Sequence, residues 1–335
     1  MEHTIKIEGG ATFVVSTDED TLLRGALRAG IGMPHECSVG GCGACRFDLV
    51  EGDTETLWAE APGLSERDRK RGKRLACQCR PLGDCTIRVR CADEYKPAIP
   101  PRRGLARLEG RRQLTADMCE FSLRTEWPAE FLAGQYALLY PPGTEGTRAY
   151  SMANRPNADG LWQFVIRRVP GGRGSNALFD QVAIGDEIPF DGPYGHAYLR
   201  DGIEREIVCI AGGSGLAPML SVTRGALARP DAPPVHFFDG VRTTADLCGE
   251  AMLGAGLLGG GRLSYTPVLS APGASPDWRG ATGFVHEHIE RVLPHPLERY
   301  EFYFAGPPPM IDAVQTLLLH QHQVPYQQIH FDRFV

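Results

Sequence analysis

Cys37-Ser38-Val39-Gly40-Gly41-Cys42-Gly43-Ala44-Cys45 is the stretch from which the rest of the chain can be read. Four residues separate the first two cysteines and two separate the second pair. This is the C-x₄-C-x₂-C spacing of a plant-type [2Fe–2S] loop, which needs a distant fourth cysteine. A loop wrapping such a cluster requires positive φ angles and close backbone approach, so that N–H groups point at sulfur, and Gly40, Gly41 and Gly43 allow both. The fourth ligand is expected in Leu75-Ala76-Cys77-Gln78. Cys79 is the rival to Cys77, on the opposite face if the segment is a strand. Zinc is the competing reading, but it usually takes paired C-x₂-C knuckles or Cys/His sets, which a glycine-framed C-x₄-C-x₂-C loop fits poorly.

Cysteine usage around the loop points the same way. Seven of the ten cysteines fall in the first 91 residues of the 335, a clustering that means metal or redox chemistry in a reducing compartment rather than a disulfide framework. Cys85, Cys91, Cys119, Cys209 and Cys248 read as small buried hydrophobes. The N-terminus has no signal-peptide pattern and no run of 18 apolar residues occurs, so a cytoplasmic location with no membrane contact is expected. A net charge of −6 disfavours nucleic acid as a partner.

Outward from the loop, Ile5, Ile7, Phe13 and Val15 alternate in strand fashion around Gly9-Gly10. Asp18-Glu19-Asp20-Thr21 opens a helix that Gly30 closes. Residues 1–94 thus form a small β-rich domain. Residues 95–103, with Pro97, Pro100 and Pro101, have the composition of a semi-stiff linker. Residues 104–200 show short β runs separated by turns, which predicts an antiparallel β-barrel. Residues 201–335 begin with Ile207-Val208-Cys209-Ile210-Ala211 running into glycines and a helix, which predicts a doubly wound parallel sheet.

Both later segments carry nucleotide signals. Arg148-Ala149-Tyr150-Ser151 supplies an arginine for a phosphate, an aromatic ring for a flat isoalloxazine, and a hydroxyl near its reactive nitrogen. Downstream, Gly171-Gly172-Arg173-Gly174-Ser175 precedes a helix, where free N–H groups can face a pyrophosphate. Together these predict FAD. Gly212-Gly213-Ser214-Gly215 sits at the strand-to-helix junction of the parallel sheet. Gly306-Pro307-Pro308-Pro309-Met310 follows a second strand at the same carboxyl edge, where dinucleotides bind. Asp239, 27 positions after Gly212, is a candidate acceptor for an adenosine ribose. Arg242 would instead favour a 2′-phosphate. The acidic residue tips the expectation towards NADH, and a plain turn role for Asp239 stays open.

The order of cluster loop, Arg-x-Tyr-Ser, Gly-Gly-x-x-Ser, Gly-Gly-Ser-Gly-x-Ala-Pro and Gly-Pro-Pro-Pro-Met resembles the reductase components of multicomponent aromatic-ring oxygenases, within the ferredoxin–NADP⁺ reductase superfamily. Leu57-Trp58-Ala59-Glu60-Ala61-Pro62-Gly63-Leu64 and Ile329-His330-Phe331-Asp332-Arg333-Phe334 are most similar to reductases of toluene-type monooxygenases and carbazole-type dioxygenases. The resemblance implies a β-grasp ferredoxin domain, an FAD barrel and an NAD domain in that order. Cys37, Cys42, Cys45 and Cys77 would hold the cluster. Arg148, Ala149, Tyr150 and Ser151 would contact the flavin, with Val165, Ile166 and Arg167 beside them and Gly172, Gly174 and Ser175 at its pyrophosphate. Tyr150 and Ser151 would flank the reacting ring, and a C-terminal aromatic such as Phe334 would shield it. Gly212 to Gly215 and Gly306, Pro307 and Met310 would frame NADH. One departure is Ala305, where many relatives carry cysteine.

The implied activity is electron transfer from NADH through FAD and [2Fe–2S] to a terminal oxygenase or a separate ferredoxin, by a chain expected to be monomeric. Two other readings stay open: a reductase serving a diiron alkane or alkene monooxygenase, and a redox-sensing regulatory flavoprotein.

Overall fold

Ile5 pairs with Phe13 across the first hairpin, and His3 pairs with Val15. Strand alternation then turns Ile5, Ile7, Phe13 and Val15 to one buried face. The computed structural model describes residues 2–16, 19 and 21–334. Asp18 and Asp20, read above as part of a helix start, lie outside the described residues. The hairpin strands β1 (Glu2–Ile7) and β2 (Thr12–Ser16) are followed by α1 (Leu22–Arg28), whose N-cap Thr21 accepts a hydrogen bond from the Arg24 N–H. The helix packs Leu22, Leu23, Ala26 and Leu27 onto the sheet.

The cysteine loop leads from α1 into β3 (Arg46–Glu51) and β4 (Thr54–Thr56). A short helix, α2 (Glu66–Lys70), is capped by Ser65 and precedes β5 (Lys73–Leu75), β6 (Cys79–Pro81) and β7 (Cys85–Arg88). The sheet order β2-β1-β7-β3-β5, with β1 and β7 parallel and α1 across it, is a β-grasp.

Two corrections to the reading above arise here. Cys77 lies in a 3₁₀ turn, Ala76–Gln78, so the Cys77/Cys79 choice is not one between two faces of a single strand. Arg102 and Arg103, read as linker, already belong to β8 (Arg102–Gln113). They pair with Gly192 and Asp191, and their guanidinium groups lie over Trp127 and Tyr140 at 4.5 and 5.1 Å, contacts that composition alone does not reveal.

The barrel continues through β9 (Met118–Arg124), β10 (Tyr136–Leu139), β11 (Arg148–Ser151), β12 (Leu161–Arg167) and β13 (Glu187–Tyr194). Its order is β11-β10-β13-β8-β9-β12. A bridge between Met152 and Phe164 brings the two edge strands together and nearly closes it. Helix α3 (Arg173–Asp180) lies between β12 and β13.

The third sheet comprises β14 (Glu206–Gly212), β15 (Val235–Val241), β16 (Leu263–Leu269), β17 (Ala281–Thr282), β18 (Tyr300–Gly306) and β19 (Ile329–Arg333). All neighbours are parallel, in the order β17-β16-β15-β14-β18-β19. Strand β14 is buried along nearly its whole length, as a sheet covered on both faces requires. Helix α4 (Leu216–Leu227) follows it directly. No helix among the described residues is long and apolar enough to cross a membrane.

The first sheet is docked on the barrel rather than tethered beside it. Tyr136, Leu138 and Tyr194 of the barrel share a core with α1 and the cluster loop. Beside them Arg28 makes a two-pronged ion pair to the fully buried Asp191 at 2.8 and 2.9 Å. Arg24 donates to Thr147 Oγ1 at 2.8 Å.

Candidate functional site

The cysteine loop is shaped by backbone before any thiol is considered. Gly40 and Gly43 have φ of +94° and +77°. A Cβ on Gly43 would sit 2.4 Å from the Gly63 carbonyl oxygen, so only glycine fits there. Gly41 is not left-handed. Ser38 is, with φ of +55°, held by the Tyr136 hydroxyl, which donates to the Glu36 carbonyl and stands in hydrogen-bond contact with Ser38 Oγ at 2.8 Å. Backbone N–H groups of Gly41 and Cys42 reach Cys37 Sγ at 3.2 and 3.3 Å, and Ala44 N–H reaches Cys42 Sγ at 3.4 Å.

The thiols pair two and two. Cys37 lies against Cys42, and Cys45 against Cys77. The neighbouring thiol and the loop N–H groups pull Cys37 down to about 6, and Cys45 is lowered by Cys77 in the same way. Among the described residues no three His, Cys, Asp or Glu side chains converge as one ion would require. Two pairs suit a two-iron cluster, which takes two thiolates at each iron. Cys79 is turned elsewhere: it sits near Thr56 Oγ1, and burial raises its thiol pKa.

A cleft of about 840 Å³ opens beside the loop, within the range of cofactor sites. Its wall brings together all ten residues read as flavin-binding: Arg148, Ala149, Tyr150, Ser151, Val165, Ile166, Arg167, Gly172, Gly174 and Ser175. At Gly174 a Cβ would lie 2.8 Å from Arg148 Cγ, so the helix start and the arginine share a space that no side chain may enter. Helix α3 has no side-chain cap, which leaves N–H groups at its start for a phosphate. Burial raises the Tyr150 hydroxyl to about 12, so it stays neutral. These residues fit FAD.

The expected aromatic Phe334 and the cluster cysteines Cys37 and Cys42 also line the cleft, and Glu36, Tyr136 and Asp332, which were not legible in the sequence, join them. Burial and the nearby Glu36 push the Asp332 carboxyl up to about 7.

A second cleft, about 610 Å³, lies at the carboxyl edge of the parallel sheet. Gly212, Gly213, Ser214, Arg242, Pro307 and Met310 line it. Gly215 and Gly306 act one layer below. A Cβ on Gly215 would fall 1.9 Å from the Ala305 carbonyl oxygen, and one on Gly306 would meet Met310 Cε at 2.8 Å. Both glycines let β14 and β18 end side by side.

Asp239 is a correction. It is 2% exposed and accepts a hydrogen bond from the Tyr265 hydroxyl at 2.7 Å, and it is not among the residues lining the cleft. Strand alternation turns it under Gly249, whose Cβ would crowd its carboxylate at 2.5 Å. The acid on the cleft wall is Asp246, 3.5 Å from Arg167. Arg167, Ser214 and Phe334 line both clefts, so the two meet there.

Three family models match in chain order. The 2Fe-2S iron-sulfur cluster binding domain matches residues 5–82, the oxidoreductase FAD-binding domain 105–198, and the oxidoreductase NAD-binding domain 209–316. The chain is 42% identical over 334 residues to the ferredoxin–NAD(P)(+) reductase CarAd of Metapseudomonas resinovorans, covering 99% of each. This chain belongs to the ferredoxin–NAD(P)⁺ reductases built from [2Fe–2S], FAD and NAD domains.

Within these reductases it is equally similar, at 42% identity over 332 residues, to the ferredoxin–NAD(+) reductase component of the alkene monooxygenase system of Xanthobacter autotrophicus, covering 99% of this chain and 100% of the relative. The solved ferredoxin reductase in carbazole 1,9a-dioxygenase superposes with a TM-score of 0.92 at 39% identity, over 100% of this chain and 99% of that one. The reductase is therefore an oxidoreductase with [2Fe–2S], FAD and NAD(H) domains, of the kind that serves as the electron-transfer component of oxygenase systems.

Proposed function

We propose that this reductase draws electrons from NADH and delivers them singly to the ferredoxin or terminal oxygenase of an aromatic-hydroxylating system. One observation carries the reading: a single cleft is walled by the flavin residues and by Cys37 and Cys42, and it opens into the nucleotide cleft at Arg167, Ser214 and Phe334. When bound, the flavin and the cluster would take two electrons together as a hydride from the nicotinamide and release them one at a time.

The chain's own residues supply position and charge. Arg148 and the first turn of α3 would hold the FAD phosphates. Tyr150 would offer its ring to the flat isoalloxazine, and Ser151 would offer its hydroxyl to a ring nitrogen. Phe334 stands at the junction of the clefts, where it would cover the flavin ring. Cys37, Cys42, Cys45 and Cys77 hold the cluster. With Ala305 at the end of β18, no cysteine is among the described residues that line the nucleotide cleft, and transfer between carbon and nitrogen needs none.

Preference for NADH rests on Asp246 in place of Asp239. Its carboxylate on the cleft wall opposes a second ribose phosphate against the pull of Arg242 on the same wall, and the Thr243 N–H and hydroxyl, with Arg167, hold it there. Steady-state kcat/KM for NADH and NADPH with ferricyanide tests this, and a ratio below one would refute it. The similarity to the alkene monooxygenase component favours a second reading, in which the oxygenase acts on an alkene. Electron delivery to each purified oxygenase type separates the two.

A further inference from the structure

We propose that the exposed Leu57–Trp58 step and the basic ridge Arg67–Arg71 form the docking surface for the electron acceptor, and that this acceptor is a small acidic ferredoxin. The proposal rests on the function argued above and adds the face by which electrons leave.

The segment lies directly on the cluster loop. Gly63 N–H donates to the Gly40 carbonyl at 2.9 Å, and Leu57 N–H donates to the carbonyl of Gln78, the neighbour of Cys77, at 2.8 Å. Trp58 rests on the loop backbone, since a Cβ on Gly40 would lie 3.2 Å from its ring. Yet Trp58 is 46% and Leu57 39% exposed. An indole held against a redox loop and left open to solvent is the anchor expected of a protein interface. The cleft side of the same loop presents Cys37 and Cys42 to the flavin residues, so residues 57–63 cover a different side of it.

Charge identifies the occupant. The whole chain carries −6, whereas residues 57–74 hold six basic side chains and three acidic ones, a local +3. Several of these groups are committed locally. Arg69 donates to the Ala59 and Ala61 carbonyls, Lys73 pairs with Asp48, and Asp68 pairs with Arg46. Arg67, Lys70 and Arg71 are exposed and enter no side-chain hydrogen bond or ion pair among the described residues, and they stand beside the exposed acids Glu60 and Glu66. A positive ridge on a negative protein orients an acidic partner towards this face and repels a basic one. Such redox encounters are small and brief, so one aromatic anchor ringed by charge suffices.

The test uses the loaded reductase with NADH and two acceptors: an acidic Rieske-type ferredoxin, whose higher potential makes transfer downhill, and cytochrome c, which is basic. In the triple variant Arg67→Glu, Lys70→Glu, Arg71→Glu, the second-order rate to the ferredoxin should fall at least ~10-fold at low ionic strength, the lower bound for steering. The rate to cytochrome c should rise. Both should approach wild type near 1 M salt, where the Debye length is about 3 Å. Trp58→Ala should slow the ferredoxin at every salt concentration while leaving flavin reduction by NADH unchanged.

A triple variant within about twofold of wild type on ferredoxin at low salt, or one that slows both acceptors equally, overturns the docking surface. A wild-type enzyme whose flavin is reduced by NADH but which reduces neither acceptor overturns the function on which the proposal rests.

Discussion

Replacing Arg28 with methionine keeps the length of the side chain and deletes the charge that joins the β-grasp to the barrel. Arg28 spans Glu19 at 2.5 and 2.7 Å and Asp191 at 2.8 and 2.9 Å. Asp191 is fully buried, and its other cation, Arg24, stands 4.0 Å away. Burial alone would disfavour the Arg28 charge, but the two carboxylates overcome it and raise its pKa. Breaking one partner of a buried pair costs about 3–5 kcal/mol. Arg28 keeps 24% side-chain exposure and Arg24 remains, which brings the cost below that range, to about 2–3 kcal/mol. At about 1.4 kcal/mol per decade, this shifts the balance between docked and undocked β-grasp by roughly 30- to 150-fold. Amide exchange should therefore accelerate selectively in residues 89–101. Cytochrome c reduction, which needs the docked cluster, should fall further than ferricyanide reduction at the flavin. In Arg28→Met with Asp191→Asn, the fully buried carboxylate that Arg28 neutralised is removed as well, so part of the loss should be recovered. Exchange unchanged in the single variant, or losses that simply add in the double, would refute the reasoning.

Two other substitutions give distinct signatures. Gly174→Ala places a Cβ 2.8 Å from Arg148 Cγ. FAD binding measured by flavin fluorescence should weaken at least about tenfold, a loss on the scale of one charge-assisted hydrogen bond, while the cluster spectrum stays normal. Asp239 has its carboxyl raised by burial to about 6 from 3.8. The folded state therefore binds this proton more tightly, so its contribution to stability is full below about pH 4 and is lost as pH rises through about 6. The ceiling is about 3 kcal/mol for a two-unit shift. Asp239→Asn should be more stable than wild type at pH 7–8, show no gain at pH 4, and bind NADH normally. A large rise in the NADH KM would return Asp239 to the nucleotide site.

What could be read from the sequence was what is local. The C-x₄-C-x₂-C spacing, the Arg-x-Tyr-Ser strand and the glycine-rich strand ends each shape a site through neighbours within a few residues. Asp239 was misplaced because its distance from Gly212 was informative about the strand but not about which face of β15 it occupies, and one residue of register decides that. Tyr136, Glu36 and Asp332 were missed because they reach the cleft from three different domains. The Tyr136–Glu36 contact spans 100 residues. Ser38 escaped because a left-handed serine carries no composition signal, and here the Tyr136 hydroxyl holds it. The Arg28–Asp191 bond that fixes the first domain is likewise invisible without the fold.

Rapid mixing of NADH with wild-type protein and with Cys77→Ser tests the order of carriers most directly. Flavin bleaching should proceed at the same rate in both proteins. The cluster absorbance and cytochrome c reduction should be present in wild type and lost in Cys77→Ser, with Cys79→Ser behaving as wild type. Undiminished cytochrome c reduction by a Cys77→Ser protein without a cluster would show that electrons leave from the flavin, and that the loop from Cys37 to Cys45 is not their exit.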